Sequence, residues 1–145
     1  MKKMVFLIAG LITLTASCQE TAYYSTKEGA IKGYDPVAYF EVGEPVKGKT
    51  DYRYQWEGVE WLFSSPENLN AFKKSPETYA PQYGGYCAYG VAGGGLYKIE
   101  PEAWKIVNGK LYLNYNLKYQ KEWESDIPGY IEKADKNWPD LAKGE

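Results

Sequence analysis

The residues best placed to do chemistry lie between Pro81 and Ala92, PQYGGYCAYGVA, where Cys87 sits among Gly84, Gly85 and Gly90 with Tyr83, Tyr86 and Tyr89 around it. Gly84 and Gly85 permit positive φ or a close backbone approach. A helix opening just after them would point unpaired N–H groups at Cys87 and favour its thiolate. That effect is worth about 0.3 to 1 kcal/mol at an exposed helix end, less than one pKa unit at about 1.36 kcal/mol per unit. Burial among tyrosines works against it by raising a thiol pKa. The commoner role of an unpaired cysteine is a small buried apolar residue. The residues alone leave both roles open; the expectation is a protonated, slow-reacting thiol that forms part of a pocket wall.

The chain has 15 Tyr, 5 Trp and no His. Without His the usual proton shuttle near neutral pH and the commonest metal ligand are both missing, which excludes Ser-His triads and His-based zinc sites. Cys87 alone cannot make a tetrahedral zinc or copper(I) site. What the composition does offer is aromatic surface. Tyr34, Tyr39, Tyr83, Tyr86 and Tyr89, with Asp35, Cys87 and the Asn114 amide, form the candidate ligand-binding set, presenting ring faces and phenol donors to a small molecule. The plainer alternative is aromatic core, since a sheet domain so rich in Tyr must bury several. Gly93-Gly94-Gly95 has no Lys-Ser/Thr pair after it and is not a phosphate loop.

These residues need a scaffold, and the local signals for one are clear. Ile31 to Phe40 reads as a turn at Asp35-Pro36 followed by a short strand through Val37. Tyr52, Tyr54 and Trp56, then Val59, Trp61 and Phe63, alternate with other residues on either side of Glu57-Gly58, which predicts a β-hairpin. Ser65-Pro66-Glu67 opens a helix to about Lys74 with Leu69 and Phe72 facing the core, and Ser75-Pro76-Glu77 opens a short turn. Pro101-Glu102-Ala103 reads as a helical turn. Asn108-Gly109 predicts a type I′ turn in a second hairpin. Asn114-Tyr115-Asn116 reads as strand exit and helix cap, with Tyr119 and Trp123 on one face of the helix that follows. Ile127, Ile131, Ala134 and Trp138 are spaced for a last helix, with Pro128 in its first turn and Pro139 at its stop. The fold class is α+β: a small antiparallel sheet of two hairpins, joined by the Val37 strand, with a short central helix and a C-terminal helix pair.

The first 18 residues, MKKMVFLIAGLITLTASC, have two lysines, an apolar run and then small residues, the pattern of a secretion signal. Leu14-Thr15-Ala16-Ser17-Cys18 resembles the lipobox of bacterial lipoproteins, with Leu14 one position earlier than usual. The resemblance implies that Cys18 is lipidated after cleavage and anchors a domain outside the bilayer. Gln19 in place of Asp resembles lipoproteins sorted to an outer membrane. The expected organisation is a signal over 1–18, a tether over 19–30, one domain over 31–139 and a tail over 140–145. The chain has 17 basic and 19 acidic residues, and losing Lys2 and Lys3 with the signal leaves a net charge of −4. That balance argues against nucleic acid as a partner.

Asp35-Pro36-Val37-Ala38 and Phe63-Ser64-Ser65-Pro66-Glu67-Asn68, leading to Phe72 and then Pro76-Glu77-Thr78-Tyr79, resemble the YHS-domain family, in its exported bacterial branch. Many members carry Asp-Pro-Val-Cys and a later Phe-Cys-Ser-x-x-Cys, and the resemblance would imply metal binding through those thiols. Here the matching positions are Ala38, Ser64 and Asn68, so the framework is kept without the soft ligands, and no metal or other cofactor is expected.

The function read from these features is a lipid-anchored module of the bacterial cell envelope, on the outer membrane and facing periplasm or surface. Its expected partner is a small ligand held in a tyrosine-rich pocket around Cys87, or an envelope protein. The alternatives are a redox protein or enzyme using the Cys87 thiol, a metal-binding YHS protein, and a protein-interaction module.

Overall fold

A computed structural model describes residues 22–144. The expected signal over 1–18, with Cys18, lies outside the described residues. The architecture is α+β, with three separate two-stranded antiparallel sheets rather than one shared sheet. In chain order the elements are β1 (Ser25–Thr26), β2 (Gly29–Ala30), α1 (Ala38–Glu41), β3 (Lys49–Trp56), β4 (Val59–Phe63), α2 (Pro66–Lys74) and α3 (Pro76–Tyr79). Then come α4 (Ala88–Ala92), β5 (Trp104–Val107), β6 (Lys110–Leu113), α5 (Leu117–Glu124) and α6 (Ile127–Ala142). No helix among the described residues is long and apolar enough to cross a membrane.

The β3–β4 and β5–β6 hairpins close with left-handed residues at the turn: Glu57 and Gly58 at φ 52° and 76°, and Asn108 and Gly109 at 51° and 74°. This is the type I′ geometry whose twist matches that of the flanking strands. Tyr54 pairs with Trp61 and Trp56 with Val59 across the first hairpin. Trp61 and Phe63 pack with Phe72 of α2 in the larger core, where Ile31, Tyr39, Leu111 and Leu113 are also buried. Leu62, on the opposite face of β4, is buried too. It is covered by glycine backbone, since a Cβ on Gly48 would stand 2.5 Å from the Leu62 Cβ. A second core joins Tyr83, Ala88, Val91, Tyr112, Trp123 and Ala134, with Ile131 and Trp138 of α6 against it.

The structure corrects two local expectations. Val37 does not enter a strand; it precedes the single-turn helix α1. The reason is the Asp35 carboxylate, whose Oδ1 accepts the N–H groups of Val37 at 2.9 Å and Ala38 at 3.3 Å and so curls the chain into a helical turn. Nor does Pro139 stop the last helix, which runs on to Ala142. A proline's φ suits a helix and its ring removes one hydrogen bond; Trp138 and Leu141 on either side pack into the second core and hold the final turn. Residues 101–103 form one turn closed by the Ala103 N–H to the Glu100 carbonyl at 3.0 Å.

Packing also begins before Ile31. Tyr23 lies against Trp56 and Trp61 at ring separations of 5.2 and 5.5 Å, and the Tyr24 N–H donates to the Gly84 carbonyl at 2.8 Å. Gly84 has φ +62°, and a Cβ there would collide with the Ala22 carbonyl oxygen. Only glycine lets these two backbones meet.

Candidate functional site

The central stretch makes its turn with three consecutive left-handed residues, Tyr83, Gly84 and Gly85, at φ 56°, 62° and 84°. The turn delivers Cys87 to the N-cap of α4. Cys87 is 1% exposed. Its Sγ accepts the N–H groups of Tyr115 at 3.1 Å and Gly90 at 3.4 Å, and its S–H donates to Asn114 Oδ1 at 3.6 Å. The same Oδ1 accepts the Tyr89 N–H at 3.0 Å. Asn114 is itself buried, held through its backbone by Ala103 at 2.8 Å and Glu100 at 3.1 Å. Its Nδ2 has no hydrogen-bond partner among the described residues, the kind of orphan donor that calls for a water or a ligand.

Burial pushes the Cys87 thiol above its ordinary value of 9.0, and the N–H groups of Gly90, Tyr115 and Tyr89 offset part of that rise. α4 is five residues long and its dipole does not reverse the balance. Alkylation by iodoacetamide followed against pH should therefore have its midpoint above 9, and a midpoint near or below neutrality would refute the assignment of a protonated thiol. The folded state holds this proton more tightly than the unfolded chain does. The associated stability is thus complete below about pH 9 and is lost as pH rises beyond it.

Over Cys87 opens a cavity of about 390 Å³ lined by Cys87, Tyr89, Gly90, Tyr97, Tyr115 and Tyr119, together with Gly93. Asn116 caps α5 by accepting the Tyr119 N–H at 3.0 Å, which sets Tyr115 and Tyr119 on one wall with their rings at 83°. Tyr97 closes the opposite side over Gly90 and Gly95, and a Cβ on Gly90 would collide with its ring.

Of the candidate residues, the structure brings Cys87 and Tyr89 to this cavity, with Asn114 hydrogen-bonded to both, and places the rest elsewhere. Tyr39 is core, its hydroxyl donating to the Pro101 carbonyl at 2.9 Å. Tyr83 packs in the second core and donates to Asp135 Oδ1 at 2.8 Å. Burial raises both phenols above their ordinary value of 10.0, and the Asp135 hydrogen bond adds to the rise at Tyr83. Tyr34 forms an isolated bridge with Lys47. Tyr86 lies against Tyr24 and Trp138, beside a second hollow that Ala22 and Leu141 also line.

Asp35 belongs to a different cluster. It is fully buried, and while Oδ1 holds Val37 and Ala38, Oδ2 accepts the Ser64 N–H at 2.8 Å, the Ser64 hydroxyl at 2.7 Å and Asn68 Nδ2 at 2.8 Å. The positions matched to the family's metal ligands thus do converge, on a carboxylate. Residues 37–83 match the family model described as the YHS domain. The similarity to the YHS-domain family is confined to this stretch. No curated protein and no solved structure matches the chain. Within the YHS stretch the donor set does not fit a soft metal ion: Ala38 has no ligand atom, and the Ser64 hydroxyl and Asn68 amide already donate to Asp35. Among the described residues no three His, Cys, Asp or Glu side chains form a group able to hold a metal. Cys87 and the other cavity residues all lie beyond the C-terminal end of the YHS match, on elements that follow it in the chain.

Proposed function

We propose that this chain is a lipid-anchored module of the bacterial cell envelope that binds a small, largely apolar ligand in the tyrosine-lined cavity over Cys87. The observation that carries the reading is the cavity itself. At about 390 Å³ it lies within the 300 to 1,000 Å³ typical of small-molecule sites, and its wall is aromatic with few polar groups. Cys87 acts as part of the floor, its thiol held by hydrogen bonds, and the YHS stretch serves as the scaffold beneath. Neutral bicyclic aromatic fragments titrated into ¹⁵N-labelled protein should shift the amide signals of Gly90, Gly93 and Tyr115 together, and Tyr119→Ala should weaken that response. Shifts scattered over the surface, or none, would refute the binding reading. The thiol-chemistry alternative is favoured by the N–H groups converging on Sγ and opposed by its burial; the alkylation midpoint decides between the two.

The anchor is a separate expectation with its own test. Mass spectrometry of protein from the membrane fraction should find diacylglycerol on Cys18, and Cys18→Ser should release the protein to the soluble fraction. An unmodified N-terminus, or a serine variant that still sediments with membranes, would refute it.

A further inference from the structure

The rings around the cavity form a continuous row. Tyr115 meets Tyr119 at 5.6 Å, Tyr119 meets Tyr89 at 5.2 Å, and Tyr89 meets Tyr130 at 5.3 Å. Three ammonium groups stand over this row: Lys98 is 5.1 Å from the Tyr115 ring centre, Lys118 is 5.7 Å from that of Tyr119, and Lys133 is 5.6 Å from that of Tyr130. The ion pairs found among the described residues engage Lys47, Lys105 and Lys136, and none of these three. Three ammonium groups that no ion pair among the described residues engages thus stand beside an apolar hollow. We propose that the cavity selects an aromatic carboxylate, its ring among Tyr89, Tyr115 and Tyr119 and its carboxylate beside Lys98 and Lys118, an assignment that rests on reading the cavity as a ligand site.

Three physical points fix that ligand class. The corner made by Tyr115 and Tyr119 offers a planar ring one stacked and one edge-on contact at once. The lining holds a protonated thiol and no charged side chain, so a carboxylate at the floor would be desolvated without compensation and must sit at the mouth. An aromatic cage also suits organic cations, but here a cation would approach two lysines and be repelled. Lys98, Lys118 and Lys133 are exposed side chains, so the ammonium groups over the rings stay hydrated and available to an anion.

The test uses the full-length chain in zwitterionic lipid nanodiscs, with empty discs as control, and three probes of one shape: 2-naphthoate, 2-naphthamide and 2-naphthylmethylammonium. Naphthoate should bind about tenfold more tightly than the amide, or about 1.4 kcal/mol, with the ammonium weakest and added salt eroding the difference. The double substitution Lys98→Gln with Lys118→Gln should bring naphthoate down to the affinity of the amide and leave the amide unchanged. Equal or tighter binding of the amide or the ammonium overturns the preference for an anion while the cavity remains a ligand site. Tight naphthoate binding that survives the double substitution overturns the role of these lysines. Failure of all three probes to bind overturns both the preference and the reading of the cavity.

Discussion

Asp35→Ala should remove about 4 kcal/mol of folding stability, because it strands several buried donors at once and each uncompensated one costs about 1 to 3 kcal/mol. Three backbone N–H groups, the Ser64 hydroxyl and the Asn68 amide all end on this carboxylate. The bonds to Ser64 and Asn68 tie the start of α1 to the end of β4 and the first turn of α2, so the loss should spread through the YHS stretch. Asp35→Asn should cost about 2 kcal/mol, since its carbonyl can still cap α1 while its NH₂ faces the Ser64 donors. Urea denaturation measures both. The loss should be the same with and without a chelator, because the cluster is held by hydrogen bonds from the chain itself. A change below about 1 kcal/mol for Asp35→Ala would mean that these donors find other partners.

Phe72→Ala should be comparably damaging, at about 3 to 5 kcal/mol. Its ring is fully buried on α2 and meets Trp61 at 5.2 Å, Phe63 at 5.1 Å, Trp56 at 5.5 Å and Tyr54 at 6.4 Å. Truncation removes the partner shared by four aromatic side chains and leaves a hollow that strands paired through their backbones cannot collapse into. Phe72→Leu should recover more than half of the loss. The midpoint of urea unfolding reads the difference, and a cost for Phe72→Ala under about 1.5 kcal/mol would show that the aromatic cluster repacks freely.

What could be read from the sequence was local. Glu57-Gly58 and Asn108-Gly109 define their turns by their own backbone preferences, and Ser65 and Asn116 cap the helices that follow them through contacts three residues away. Val37 was unreadable for the opposite reason. Its conformation depends on a carboxylate held in place by Ser64 and Asn68, 29 and 33 residues from Asp35, and an apolar run alone cannot distinguish a strand from a helical turn. Pro139 misleads in the same way, because packing against Tyr83 keeps the helix intact beyond it.

The site divides along the same line. Cys87 stands out as a lone thiol beside glycines, and its N-cap position follows from the turn before it. The far walls, Tyr97, Tyr115 and Tyr119, arrive from a loop and from the junction of β6 with α5. Tyrosines near Cys87 in sequence, such as Tyr83 and Tyr86, point into other surroundings. One clue to Tyr97 was present in Gly90 and Gly95, whose missing side chains make room for its ring.

The early start of packing at Ala22 sets a geometric limit on how the protein could work. Three residues separate Ala22 from Cys18, and even fully extended the four steps between them reach no more than about 14 Å at 3.3 to 3.6 Å per residue. With the anchor proposed at Cys18, the body could not patrol the aqueous space around it. It would be confined to a shallow layer over the lipid headgroups, with Tyr23, Tyr86 and Trp138 near the point of attachment. Capture would then become a two-dimensional encounter problem, governed by how fast the protein diffuses laterally and by how much ligand accumulates at the membrane surface rather than in bulk solution.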